Sequence, residues 1–136
     1  MIKSRKRPET LRLRTIVPAL TVGDMAESLR WYCDVVGFFR KETWEHEGRI
    51  VGAELVAGSH RILLMQDDWA KGRDRPKGVG MRLHLETSQD IDDIADAIRD
   101  RGGTLASEPE DKPWGTRSFD LTDPDGFNLT ISAPYS

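Results

Sequence analysis

The feature that most narrows what this chain can fold into is an internal duplication. Residues 17–66 and 82–132 each read as a strand, a short helix and then a hairpin-rich run of strands. A gapless overlay sets Ala53-Glu54-Leu55 on Phe119-Asp120-Leu121 and Ile62-Leu63-Leu64-Met65 on Asn128-Leu129-Thr130-Ile131. Val17-Pro18-Ala19-Leu20-Thr21-Val22 likewise falls on Arg82-Leu83-His84-Leu85-Glu86-Thr87. A unit that cannot bury its apolar face alone is stabilised by a second copy, and the repeat fixes which positions share a cleft.

Each half carries one short amphipathic helix. Asp24 with Glu27 three places on makes a capping-box-like start, Met25, Leu29, Tyr32, Cys33 and Val36 form a stripe, and Gly37 stops it. In the second half Asp90 and Asp93 open the helix, Ile91, Ile94, Ala95 and Ile98 form the stripe, and Gly102-Gly103 ends it. Both helices are one-sided, so each must lie on a sheet. Beyond the second helix, Phe119, Leu121, Phe127, Leu129 and Ile131 alternate with Ser118, Asp120, Asn128, Thr130 and Ser132, giving one apolar and one polar strand face. Asp123-Pro124-Asp125-Gly126 is a turn, and Ala57-Gly58-Ser59-His60 is its counterpart in the first half. The organisation predicted is a basic extension over 1–14, module one over about 15–66, a charged connection over 67–79 and module two over about 80–133.

A chain of 136 residues is long enough for one compact domain. No apolar run approaches the ~20 residues of a membrane helix, and the amino end lacks a signal peptide's apolar core. A net charge of −3 gives no general reason to bind nucleic acid. Cys33 is the only cysteine, which rules out an intrachain disulfide and a cysteine zinc cluster and fits the cytoplasm. Lys3, Arg5, Lys6, Arg7, Arg12 and Arg14 in the extension read as a solvated lead-in. No glycine spacing cradles phosphate, and no serine sits in a nucleophile elbow.

The run Val22-Gly23-Asp24-Met25-Ala26-Glu27-Ser28-Leu29-Arg30-Trp31-Tyr32, ending in Val36-Gly37-Phe38, resembles the first module of vicinal oxygen chelate proteins. That superfamily includes glyoxalases, bleomycin-resistance proteins and extradiol dioxygenases. Pro113-Trp114-Gly115-Thr116-Arg117-Ser118-Phe119 and Asp123-Pro124-Asp125-Gly126-Phe127 are similar to its closing hairpin, in the version of the bleomycin-resistance-like branch. The resemblance implies an α+β fold in which two tandem βαβββ modules form a cupped, mostly antiparallel sheet with helices on the outer face, assembled as a homodimer. Metal-using members place ligands on the first and last strand of each module, and the matching points here are Val17, Leu64, Arg82 and Thr130. Two hydrocarbons, a guanidinium and a hydroxyl are a poor donor set for a divalent ion, so no metal and no cofactor is expected.

In the same strand phase the cleft-facing candidates are Ala19, Thr21, Glu54, Ile62, Gln66, His84, Glu86, Ser118, Asp120 and Asn128, with Trp114 beside them. Arg82 either holds an anionic group of a ligand or forms a salt bridge with Glu54, Glu86 or Asp120. His84 either carries a proton near neutral pH or is a hydrogen-bonded rim residue. Trp44, Trp69 and Trp114 are candidate flat walls for a planar or cationic ligand. His46 and His60 read as surface residues. The first expectation is therefore a metal-independent protein that binds an organic, aromatic or cationic small molecule in dimer clefts. The alternative is a metal-independent lyase, isomerase or hydrolase with Glu54 or Asp120 as base and Arg82 as anion holder.

Overall fold

In a computed structural model, which describes residues 10–135, the chain forms two four-stranded sheets, each with its own helix. In the first half β1 (Ala19–Val22) leads into α1 (Met25–Leu29) and a π-helical continuation (Arg30–Val36). The strands β2 (Phe39–His46), β3 (Arg49–Ala57) and β4 (His60–Gln66) follow, in the spatial order β1-β4-β3-β2. The second half repeats this with β5 (Arg82–Glu86), α2 (Ile91–Asp100), β6 (Ser107–Asp111), β7 (Thr116–Thr122) and β8 (Asn128–Pro134), ordered β5-β8-β7-β6. In each half the first strand runs parallel to the last and the other pairs are antiparallel. The α+β architecture of paired βαβββ modules is thus present, its sheet built as two halves. Among the described residues no helix is long and apolar enough to cross a membrane. Of the basic extension, residues 1–9 lie outside the described residues.

The helix caps follow the sequence. The Asp24 carboxylate accepts from the Glu27 N–H at 3.1 Å, and Asp90 accepts from Asp93 N–H at 2.9 Å. Gly37 closes the first helix at φ +116°, a conformation that costs glycine little. The first stripe departs from expectation in its second half. The backbone widens there to i→i+5 bonding, with Gly37 N–H on the Tyr32 carbonyl at 3.0 Å. That rotates the buried face, so Tyr32 and Val35 enter the core while Cys33 and Val36 are only half-buried.

The core lies between each helix and its sheet. Leu20, Val22, Ala53, Leu55, Ile62 and Leu64 form the floor under the first helix, and Phe119, Leu121, Leu129 and Ile131 that under α2. The repeat is real, but its last strands are offset by one residue from the gapless overlay. Val56 pairs with Arg61 across residues 57–60, whereas Thr122 pairs with Asn128 across residues 123–127. Leu63, not Leu64, is therefore the equivalent of Thr130, and Leu64 matches Ile131.

The longer second turn is also what joins the modules. The Asp125 carboxylate accepts from Gly23 N–H at 2.9 Å and from the Ser28 hydroxyl at 3.4 Å. Buried Tyr32 donates its hydroxyl to Asp123 Oδ2 at 2.7 Å. From α2, Arg101 donates to the Val35 and Val36 carbonyls at 2.8 and 3.2 Å. The connection between β4 and β5 is strapped down as well: Asp67 pairs with Lys77 at 3.0 Å and Arg75 at 3.3 Å. Arg73 and Lys77 lie over the Trp69 ring at 4.7 and 4.9 Å. At Gly78 (φ +72°) an added Cβ would lie 2.4 Å from the Gly126 carbonyl oxygen, so the connection touches the turn backbone to backbone.

Candidate ligand-binding site

Because strand residues alternate, each sheet has a face turned away from its helix, and on these two faces the sequence placed its candidates. On the second sheet the candidates share one face. Arg82 pairs across to Asn128, His84 to Thr130 and Glu86 to Ser132, while Ser118 and Asp120 lie beside them on β7. Arg82 Nη1 donates to Thr130 Oγ1 at 3.0 Å, and that hydroxyl donates to Asp120 Oδ1 at 2.6 Å. Arg82 lies 3.5 Å from the same carboxylate oxygen. The arginine is thus salt-bridged, one of the two alternatives its position allowed. About two-fifths of its side chain stays open, and one Nη1–H of its five donors is spent on Thr130.

The first sheet departs from expectation at three positions, Ile62, Leu64 and Gln66. Leu64 is fully buried in the core beneath the first helix, and Ile62 is 5% exposed on the same side, so neither faces a cleft. The cause is the one-residue offset between the hairpins, which turns Leu63 and Met65 to the helix-free face instead. Glu54 does lie on that face, but only 6% exposed and bound by Arg61 at 3.1 Å. Gln66 is spent locally: its amide donates to the Val22, Gly23 and Asp67 carbonyls and its oxygen accepts from Met25 N–H. Val17, half-buried, precedes β1, and Ala19 and Thr21 continue its phase.

The aromatic candidates separate. Trp44 lies on the helix-free face of the first sheet, where it and the Met65 thioether border Gly52; a Cβ there would meet the ring at 2.9 Å. Trp114 is 73% exposed in the turn before β7, apart from the Arg82 cluster. Trp69 belongs to the strapped connection. The first sheet thus offers an apolar surface of Trp44, Met65, Leu63 and Ala19, and the second a polar one. Two side chains that matter, Leu63 and Met65, escaped the sequence reading, and counting the residues of the two hairpin turns was the signal that could have found them.

A family model described as the Glyoxalase/Bleomycin resistance protein/Dioxygenase superfamily matches residues 13–131. The chain belongs to that superfamily. A Synechocystis protein named probable lactoylglutathione lyase is 29% identical over 120 residues, spanning 82% of this chain and 88% of its own length. The fold is shared with TioX from Micromonospora sp. ML1, at TM-score 0.73 and 21% identity over 88% of this chain and 98% of that one. A superfamily member from Sphaerobacter thermophilus superposes at TM-score 0.67 with 25% identity, over 88% and 97% of the two chains.

Whether the superfamily's metal would fit is decided by the donors at the equivalent corners. Of the expected corners Val17, Leu64, Arg82 and Thr130 only Thr130 stays: strand register pairs it with His84, not Arg82, and pairs its equivalent Leu63 with Ala19, not Val17. The four residues so paired supply one imidazole and one hydroxyl, with a guanidinium 3.0 Å from the hydroxyl. A divalent ion in such a site needs three or four nitrogen, carboxylate or thiolate donors. Among the described residues no group of three or more His, Cys, Asp or Glu is placed to hold an ion. The residues do not fit the metal.

Proposed function

We propose that this protein binds an organic small molecule on the helix-free faces of its sheets without a metal, closed over by a second copy of the chain. The observation that carries this reading is the Arg82–Thr130–Asp120 network standing at a corner where metal-using relatives place ligands. Its free donors, with His84 two residues along the strand, recognise oxygen acceptors on the ligand. Trp44, Met65 and Leu63 supply the apolar wall. Asp120 and Glu54 are each engaged by an arginine, which supports an aromatic compound carrying carboxylate, phenol or carbonyl oxygens over a cationic one. Binding would be stoichiometric sequestration, as in the bleomycin-resistance-like branch.

The test is isothermal titration with a panel of aromatic antibiotics and aryl acids in the presence of chelator, for the wild type and Arg82→Ala, with sedimentation velocity on the same samples. A hit at one equivalent per chain, weakened about tenfold or more in the variant, supports the reading. Binding that appears only after adding a divalent metal overturns it.

A second reading rests on the name of the Synechocystis relative and on Asp120, which is more accessible than its first-module equivalent Glu54. Asp120 would remove a proton alpha to a carbonyl whose oxygen Arg82 holds. Turnover of lactoylglutathione or a related thioester by chelated protein, lost in Asp120→Asn, would favour it over simple binding.

A further inference from the structure

On the opposite side of the first sheet, β2 projects past the edge of the first helix, and a groove of about 690 Å³ runs in the angle between them. Its helix wall is the continuous stripe Met25, Leu29 and Cys33, with Met25 and Leu29 only 5% and 7% exposed. Ile50 on β3 completes an apolar floor. Three arginines surround it. Arg30 rises from the helix, Arg40 stands opposite Leu55 at one end of the β2–β3 hairpin, and Arg49 stands opposite His46 at the other. At about 3.3 Å per strand residue the two strand arginines are roughly 20 Å apart along the sheet.

These arginines are unusual in this molecule. Arg61, Arg75, Arg82, Arg99, Arg101 and Arg117 each have an acceptor, and Arg73 lies on Trp69. Among the described residues only Arg14, Arg30, Arg40 and Arg49 make no hydrogen bond, ion pair or ring contact, and three of those four line this one groove. Two carboxylates also border it. Asp24 is occupied as the helix cap, and Asp34 sits beside Cys33. Burial raises the Cys33 thiol's pKa, then Asp34 does, with Arg40 opposing, so the thiol is a neutral part of the wall. An apolar floor flanked by cations with unspent donors matches one ligand chemistry.

We infer that this groove is a second small-molecule site, taking an amphipathic organic anion. An aryl or alkyl carboxylate or sulfonate would lay its apolar body on Met25, Leu29 and Ile50 and its charge against Arg40 or Arg49, with Arg30 between them. The site uses no residue of the helix-free faces, so it stands apart from the function proposed above.

The experiment titrates the full chain with 8-anilinonaphthalene-1-sulfonate, an aromatic sulfonate whose fluorescence rises on apolar contact. The variants are Arg40→Ala/Arg49→Ala, the charge-keeping Arg40→Lys/Arg49→Lys, and Arg82→Ala. The expected result is one saturable probe per chain in this groove, tighter at low salt, counted apart from any second probe that the helix-free face takes up and Arg82→Ala removes. Binding in the groove weakens about tenfold in the alanine pair, returns largely in the lysine pair and is untouched by Arg82→Ala. Circular dichroism and Tm of the alanine pair check that its fold is intact; these exposed side chains make no bonds whose loss would unfold it. No saturable binding, equal affinity in the alanine pair, or loss of all probe binding in Arg82→Ala each overturns the assignment, the last by moving the probe to the helix-free face.

Discussion

Replacing Tyr32 by phenylalanine removes one oxygen atom from the contact between the two modules. Tyr32 is fully buried, and its hydroxyl donates at 2.7 Å to Oδ2 of Asp123, which is 5% exposed. The other oxygen of that carboxylate accepts from Asp125 N–H at 2.9 Å and Phe127 N–H at 2.8 Å. The phenol is thus the one donor to Oδ2 among the described residues, and the phenylalanine variant leaves a buried carboxylate oxygen unsatisfied. Such a loss costs about 2–3 kcal/mol, or roughly 6–12 °C in Tm for a domain of this size. The loss should also depend on pH. Burial is the main cause that raises the Asp123 pKa above the ordinary carboxylate value, and the phenol bond is the largest of those holding it down. With its folded pKa raised, the ionised carboxylate works against folding at neutral pH, and that penalty fades as pH falls through the raised value. The phenol relieves part of the penalty only while Asp123 is charged. The stability gap between wild type and variant must therefore narrow as pH falls into the carboxylate range. Urea unfolding across that range reads it directly. A gap under about 0.5 kcal/mol at neutral pH, or one that stays constant or widens in acid, would refute the reasoning.

The strand offset is checked by an alanine pair: Leu64→Ala, in the core, should cost about 2–5 kcal/mol, and Leu63→Ala on the helix-free face well under half of that. Gly78→Ala should lower stability by at least about 1–2 kcal/mol, the cost of a left-handed L-residue, because its Cβ also meets the Gly126 backbone; Gly72→Ala, at φ +96° with open space around it, isolates the conformational part. The Asp67 carboxyl is held down to about 2, first by the Trp69 N–H and then by Lys77, with Arg75 adding less. Its contribution is present above the unfolded carboxylate pKa and lost as pH falls through about 2, so Asp67→Asn should destabilise at neutral pH and converge with wild type in strong acid. Zinc, nickel or manganese at one equivalent should leave the Tm within about 1 °C, since binding to the native state alone would raise it.

Much of the fold was legible because its signals are local. Asp24 and Asp90 announce helix starts, Gly37 and Gly102 announce stops, and the alternation from Phe119 to Ser132 gives both faces of β7 and β8. The last strand of the first module was not legible in the same way. Ile62-Leu63-Leu64-Met65 has no polar residue to mark a face, so only the turn length decides which leucine points inward, and two leucines side by side conceal a shift of one. The site divided along the same line: Arg82, His84, Asp120 and Thr130 sit in three strands whose patterns fix their phase, and the structure brings them together. The arginines of the outer groove come from three separate elements. No spacing rule unites Arg30, Arg40 and Arg49, and a widened helical turn that shifts one face has no short sequence signature.

The extra residue between β7 and β8 makes two similar halves unequal. Its loop reaches across to hold the start and the middle of the other half's helix, while among the described residues the shorter loop at Gly58-Ser59 makes no hydrogen bond in return. One half is the clasp and the other what it fastens. Exchanging the two loops would leave the strands of each intact and strip the contact between the halves of its loop bonds, leaving those that Arg101 makes.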